Sequence, residues 1–89
     1  MKTNITFRNL DHTPALDEKI KSKTQKLQKF LKEDCEVSWT CWTEKNSQYA
    51  EVKIKSGKDS FIAKADSESL YKTMDIVINK LENQISHRH

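Results

Sequence analysis

The sequence predicts an α+β two-layer sandwich of order β-α-β-β-β-α, a four-stranded sheet with two roughly parallel helices on one face. Three observations predict it. Four segments alternate apolar and polar residues with period two. Two longer segments repeat apolar residues at helical spacing. One Gly and one Pro in 89 residues leave no long flexible linker, so most of the chain is expected to be regular structure.

Residues 3–7 (TNITF) read as a first strand, with Ile5 and Phe7 facing inward. Residues 8–12 connect it to Thr13-Pro14, an N-cap followed by Pro at the first helical position. The first helix is expected from Pro14 to Leu31, with Leu16, Ile20, Thr24, Leu27 and Leu31 as its buried stripe and Phe30 at the border. From Val37 to Glu44 the period changes to two. Val37, Trp39, Cys41 and Thr43 share one face, and Ser38, Thr40, Trp42 and Glu44 the other. Residues 45–48 form a polar turn, and Tyr49 to Lys55 alternates again with Ala50, Val52 and Ile54 inward. Residues 56–59 make a second turn in which Gly57 is free to take φ > 0. Ser60 to Ala65 gives the last strand, with Phe61, Ala63 and Ala65 inward. The second helix is expected after an Asp66 or Ser67 cap, running to Ser86 on a stripe of Leu70, Met74, Val77, Ile78, Leu81 and Ile85. Each strand keeps one polar face, so the helices are expected to cover one side of the sheet only.

Length and composition exclude several classes. Eighty-nine residues fit one small domain, residues 1–89. No apolar run approaches the ~18 residues of a membrane span, and the N-terminus has no signal-peptide core, so a cytoplasmic location is expected. Cys35 and Cys41 are six residues apart. On one strand they would lie ~20 Å from each other, beyond disulfide reach.

The net charge of +3 is modest, but it is clustered. Between Pro14 and Lys32 lie Lys19, Lys21, Lys23, Lys26, Lys29 and Lys32, opposed only by Asp17 and Glu18, a segmental charge of +4. On an ideal helix Lys23, Lys19 and Lys26 fall at roughly −20°, −60° and −80° from Leu16, along one flank of the apolar stripe. On the second helix Gln84, Lys80 and His87 fall at roughly −40°, −80° and −100° from Leu70, with Arg88 following. Side by side, these flanks are expected to contribute to one basic surface that meets phosphates by releasing their counterions. Charge alone leaves the alternative of a solvated face.

Catalytic chemistry finds little footing. His12 stands near Asp11, and His87 and His89 at the far terminus, with no H-E-x-x-H or C-x-x-C spacing. The two cysteines have the wrong gap for a zinc hairpin, and a single Gly excludes a glycine-rich phosphate loop. No enzyme activity, metal, cofactor or small-molecule substrate is expected. Trp39 is expected in the core. Trp42, on the opposite face with Tyr49, is expected either to stack bases beside lysines or to be a partly covered surface aromatic or part of a dimer contact.

Several motifs carry a family likeness. They are Asn4-Ile5-Thr6, Thr13-x-Ala15-Leu16, Lys23-x-x-Lys26-Leu27, the Glu44-Lys45 that ends the second strand, Leu70-Tyr71-x-x-Met74-Asp75, and Ile78-x-Lys80-Leu81-x-x-Gln84-Ile85. Taken together the chain resembles the ribosome hibernation promoting factors, also called sigma-54 modulation proteins, over essentially its whole length. The resemblance implies a protein that binds small-subunit rRNA in the mRNA and tRNA channel and silences translation by occupancy in stationary phase or stress. By matching position it implies rRNA contacts at Lys23, Lys26, Lys80, Gln84 and His87; the charge map adds Lys19, Lys29 and Arg88. Asp17 and Asn83 stand where relatives often carry Arg, and His87 where Lys is common, which lowers the charge expected of the surface. Ending at His89, the chain is expected to be of the short type, which in the family pairs ribosomes together with ribosome modulation factor. A general double-stranded RNA binder and a protein-interaction regulator docking by its sheet edge are the alternative classes.

Overall fold

A computed structural model describes residues 1–87; Arg88 lies outside the described residues. The elements are β1 (Lys2–Arg8), α1 (Pro14–Gln25), a 3-10 turn (Gln28–Phe30), β2 (Glu36–Glu44), β3 (Ser47–Ser56), β4 (Asp59–Ser67) and α2 (Leu70–Ser86). The strands lie in the order β1-β2-β3-β4. β1 pairs with β2 in parallel, from Lys2 opposite Glu36 to Arg8 opposite Trp42, so α1 is the crossover that parallel pairing requires. The other two pairings are antiparallel hairpins.

Alternation decides the faces. Val37, Trp39, Cys41, Ala50, Val52, Ile54, Phe61, Ala63 and Ala65 are buried beneath the helices, and their neighbours along each strand are exposed or half-buried. α2 completes the core with Leu70, Met74, Val77, Ile78, Leu81 and Ile85, and α1 with Ile20 and Thr24. The cysteines are buried and unpaired, and burial pushes the Cys41 thiol up to about 11.

Four boundaries differ from the sequence-based expectation: the end of α1, the start of α2 and the two hairpin turns. α1 stops at Gln25 rather than Leu31. Thr24 Oγ1 donates to the Ile20 carbonyl at 2.7 Å and accepts from the buried Trp39 indole N–H at 2.9 Å. Such back-bonding weakens a helix at that point. From Lys26 onward the backbone closes i→i−3 bonds, Leu27 N–H to the Thr24 carbonyl and Phe30 N–H to the Leu27 carbonyl. The cap of α2 is Ser69, not Asp66 or Ser67, because those two pair with Tyr49 and Gln48 and extend β4. Both hairpin turns have two residues rather than four. Lys45 and Asn46 take φ of 48° and 65°, the left-handed pair of a type I′ turn. Gly57, at φ 62°, opens the other.

Candidate nucleic-acid interface

α1 starts cleanly. Thr13 Oγ1 accepts from the Leu16 N–H at 3.2 Å and Pro14 has no N–H to satisfy. Asp17 in the first turn takes hydrogen bonds from His12 Nε2 at 2.8 Å and Lys21 Nζ at 3.0 Å, which together hold its carboxyl below the usual 3.8. Lys21 is thereby committed to its own helix.

α1 and α2 run in the same direction. Tyr71 lines a shallow groove of about 430 Å³ with Ala15, Glu18, Lys19 and Ser22, and one turn further along Asp75 meets Lys23. The Lys23 Nζ to Asp75 Oδ1 distance is 2.5 Å. This pair, with the charges of Lys26 and Lys19 nearby, lowers the Asp75 pKa, the Lys23 hydrogen bond acting most strongly. Lys19, Lys23 and Lys26 therefore converge on the seam between the helices, around one carboxylate. Lys19 and Lys26 are exposed and make no ion pair among the described residues.

The other expected contacts lie elsewhere. Lys29 stands on the 3-10 turn with its Nζ 5.1 Å from the Phe30 ring centre. Lys80 Nζ donates to the Lys64 carbonyl and Gln84 Nε2 to the Ile62 carbonyl, each at 2.8 Å. Both carbonyls belong to β4, the edge strand, so these two side chains close part of an exposed sheet edge. That occupied stretch is a poor template for the added strand of an edge-docking regulator. Lys80 keeps further N–H donors after this bond. His87 is the exposed C-cap residue of α2.

The two helix flanks do not merge. Asp75 and Lys80 are five residues apart, about 140° around an ideal helix. α1's lysines face the Asp75 side of α2, and Lys80 and Gln84 hang over β4 on the other. The signals missed in the sequence are Tyr71 and Asp75, which share a flank at i, i+4 spacing, matching the i, i+4 pair Lys19 and Lys23.

The bare face of the sheet carries a separate feature. Trp42 and Tyr49, paired across β2 and β3, stack at 5.2 Å with rings 8° apart, and Lys64 lies 5.7 Å and 5.9 Å from their centres. Asp66 and Glu51 occupy the same cross-strand rows, so the charge around the rings is mixed. Among the described residues no helix is long and apolar enough to cross a membrane, and no group of three His, Cys, Asp or Glu side chains is placed to hold a metal.

Cations gathered along the seam of two parallel helices on a two-layer α+β fold make a surface suited to a polyanion. The chain belongs to the sigma 54 modulation protein / S30EA ribosomal protein family, whose model matches residues 3–89. It is 29% identical over 86 residues to a ribosome hibernation promoting factor of Klebsiella oxytoca, covering 97% of this chain and 90% of that one. It is 30% identical over 89 residues to a ribosome hibernation promotion factor of Bacillus subtilis, covering 96% of this chain but 47% of that longer protein. The fold matches the N-terminal domain of Thermus thermophilus Protein Y with a TM-score of 0.92 at 18% identity, covering 100% of both chains. It also matches a ribosomal subunit interface protein of Coxiella burnetii at 0.87 and 24%, covering 99% of this chain and 97% of that one.

Proposed function

We propose that this protein is a cytoplasmic ribosome hibernation factor whose residues 1–89 act as one ribosome-binding domain. It seats the α1–α2 seam against small-subunit rRNA in the channel used by mRNA and tRNA. The observation that carries this reading is the convergence of Lys19, Lys23 and Lys26 on one seam in a chain of this family. The names of its relatives, ribosome hibernation promoting factor and ribosome-associated factor Y, support the same reading.

The mechanism is occupancy. Lysine ammonium groups replace condensed counterions along the RNA backbone, and their release to bulk drives binding. Contacts of this kind read charge and backbone shape rather than base sequence. Lys80, with its remaining donors, and His87 offer further contacts on α2 apart from the seam, Lys29 offers one on the 3-10 turn after α1, and Arg88 is the other cation proposed from the sequence. Gln84 contributes its free amide hydrogen and oxygen.

The test is cosedimentation with purified small subunits across a salt series, comparing the native protein with Lys19→Glu/Lys26→Glu. These two lysines are chosen because reversing them leaves the Lys23–Asp75 pair in place. The expected result is saturable binding with a steep salt dependence, lost in the variant and displaced by initiator tRNA. Absence of binding at 50 mM salt would refute the reading. Equal affinity for free duplex RNA would replace it with a general duplex binder.

A further inference from the structure

The Lys23–Asp75 pair has an asymmetry that bears on binding. The Lys23 side chain is 17% exposed and the Asp75 side chain 54% exposed. The Asp75 side chain is thus open to solvent where it holds the Lys23 ammonium, so a phosphate reaching that ammonium has to compete with a carboxylate already seated on it. Lys26 and Lys19 lie near enough for their charges to help lower the Asp75 pKa, and neither forms an ion pair among the described residues.

We propose that Asp75 is an internal counter-anion that occupies a phosphate seat at the centre of the Lys19–Lys23–Lys26 cluster and thereby limits the affinity of the seam for RNA. This inference rests on the rRNA reading above and adds to it a residue that sets the strength of binding. The chemistry of exchange is simple. A carboxylate and a phosphate both offer anionic oxygens to an ammonium group, so one takes the place of the other without rearranging the helices. An ion pair open to water is weak, so the exchange is readily made. While Asp75 holds Lys23, that lysine neutralises no phosphate and displaces no cation condensed on the RNA.

Removing the competitor has a definite signature. A lysine freed for one more phosphate steepens the slope of log affinity against log salt by about 0.7–0.9. Between 200 and 50 mM salt this raises the ratio of variant to native affinity about threefold.

The experiment compares the native protein with Asp75→Asn, first on small subunits through the salt series and then on inorganic tripolyphosphate, followed by NMR shifts of the seam residues. Glu68→Gln is the charge control. It deletes an acid whose ion pair among the described residues is with Lys72, and changes the net charge by the same amount. Lys23→Gln, alone and with Asp75→Asn, completes a cycle. The proposal expects Asp75→Asn to bind tighter, with the ratio growing as salt falls. It expects Glu68→Gln to show no such growth, and most of the gain to vanish in the Lys23→Gln background. Weaker or unchanged binding by Asp75→Asn overturns it, as does an equal gain from Glu68→Gln or a gain that survives Lys23→Gln. Failure of the ribosome reading looks different. If no form binds subunits, the tripolyphosphate arm still decides whether Asp75 holds the seat. Thermal melts check that each variant is folded.

Discussion

Replacing Thr24 with Val removes one oxygen from the centre of the molecule and keeps the shape of the side chain. Thr24 is fully buried and Trp39 is 1% exposed. The hydroxyl is the acceptor recorded for the Trp39 indole N–H, at 2.9 Å. Val cannot accept, so the N–H is left in an apolar core with no water to turn to. A buried donor stranded in this way costs about 1–3 kcal/mol. The added methyl group recovers a fraction of that, and the expected loss is about 2 kcal/mol, a fall in Tm of about 10 °C for a domain of this size. Urea unfolding followed by far-UV circular dichroism reads the difference. The control is Trp39→Phe, which is itself destabilising but removes the donor. In that background Thr24→Val should cost no more than about 0.5 kcal/mol, since no N–H is stranded. An equal loss in both backgrounds, or a neutral Thr24→Val in the native one, would refute the reasoning. The same bond ties the C-terminal end of α1, and with it Lys23 and Lys26, to the sheet.

Three further outcomes are expected. Asp17 has its pKa depressed by His12 and Lys21, so its contribution to stability is present above the unfolded value of 3.8 and is lost as pH falls through the lower folded value. The urea midpoints of native protein and Asp17→Asn should therefore converge as pH drops below 4, with a small separation above it because the pair is exposed; a constant separation would contradict this. Burial raises both thiols, Cys41 to about 11, so neither should react with Ellman's reagent in the native state at pH 8, while both react at once in urea; rapid native labelling would count against their burial. Gly57→Ala places a side chain at φ 62°, where its Cβ would meet Lys32 Nζ at 2.9 Å, and should cost about 1–2 kcal/mol by thermal melt, chiefly from the backbone because the lysine tip can move.

The sheet was legible because its signal is local. Val37, Trp39 and Cys41 on one strand and Ala50, Val52 and Ile54 on the next each announce a buried face by alternation, and the structure pairs them across that face. The end of α1 was not legible. Leu27 and Leu31 continue the helical spacing, and no Gly or Pro intervenes. Where the helix ends, Thr24 bonds back to the Ile20 carbonyl while accepting a tertiary bond from Trp39, fifteen residues away. Asp66 and Ser67 are good caps locally, but pairing with β3 prevails over local preference. At the seam the lysines were visible and their counter-ion was not. Flanks of the same hand on two parallel helices point the same way, so they cannot face each other. α1's lysine flank has to meet the opposite flank of α2, where Asp75 and Tyr71 stand.

The run Ile78-x-Lys80-Leu81-x-x-Gln84-Ile85 has a consequence for how this family is recognised. Ile78, Leu81 and Ile85 are buried under α2, and Lys80 and Gln84 are tied to the backbone of β4. Every named position in the run helps to seat the helix on the sheet. The run is therefore kept by packing whatever side chains stand at the α1–α2 seam, which lies on another side of the same helix. The signature is thus a record of architecture. The lysines of α1 lie outside it, so the run by itself says nothing of the charge at the seam.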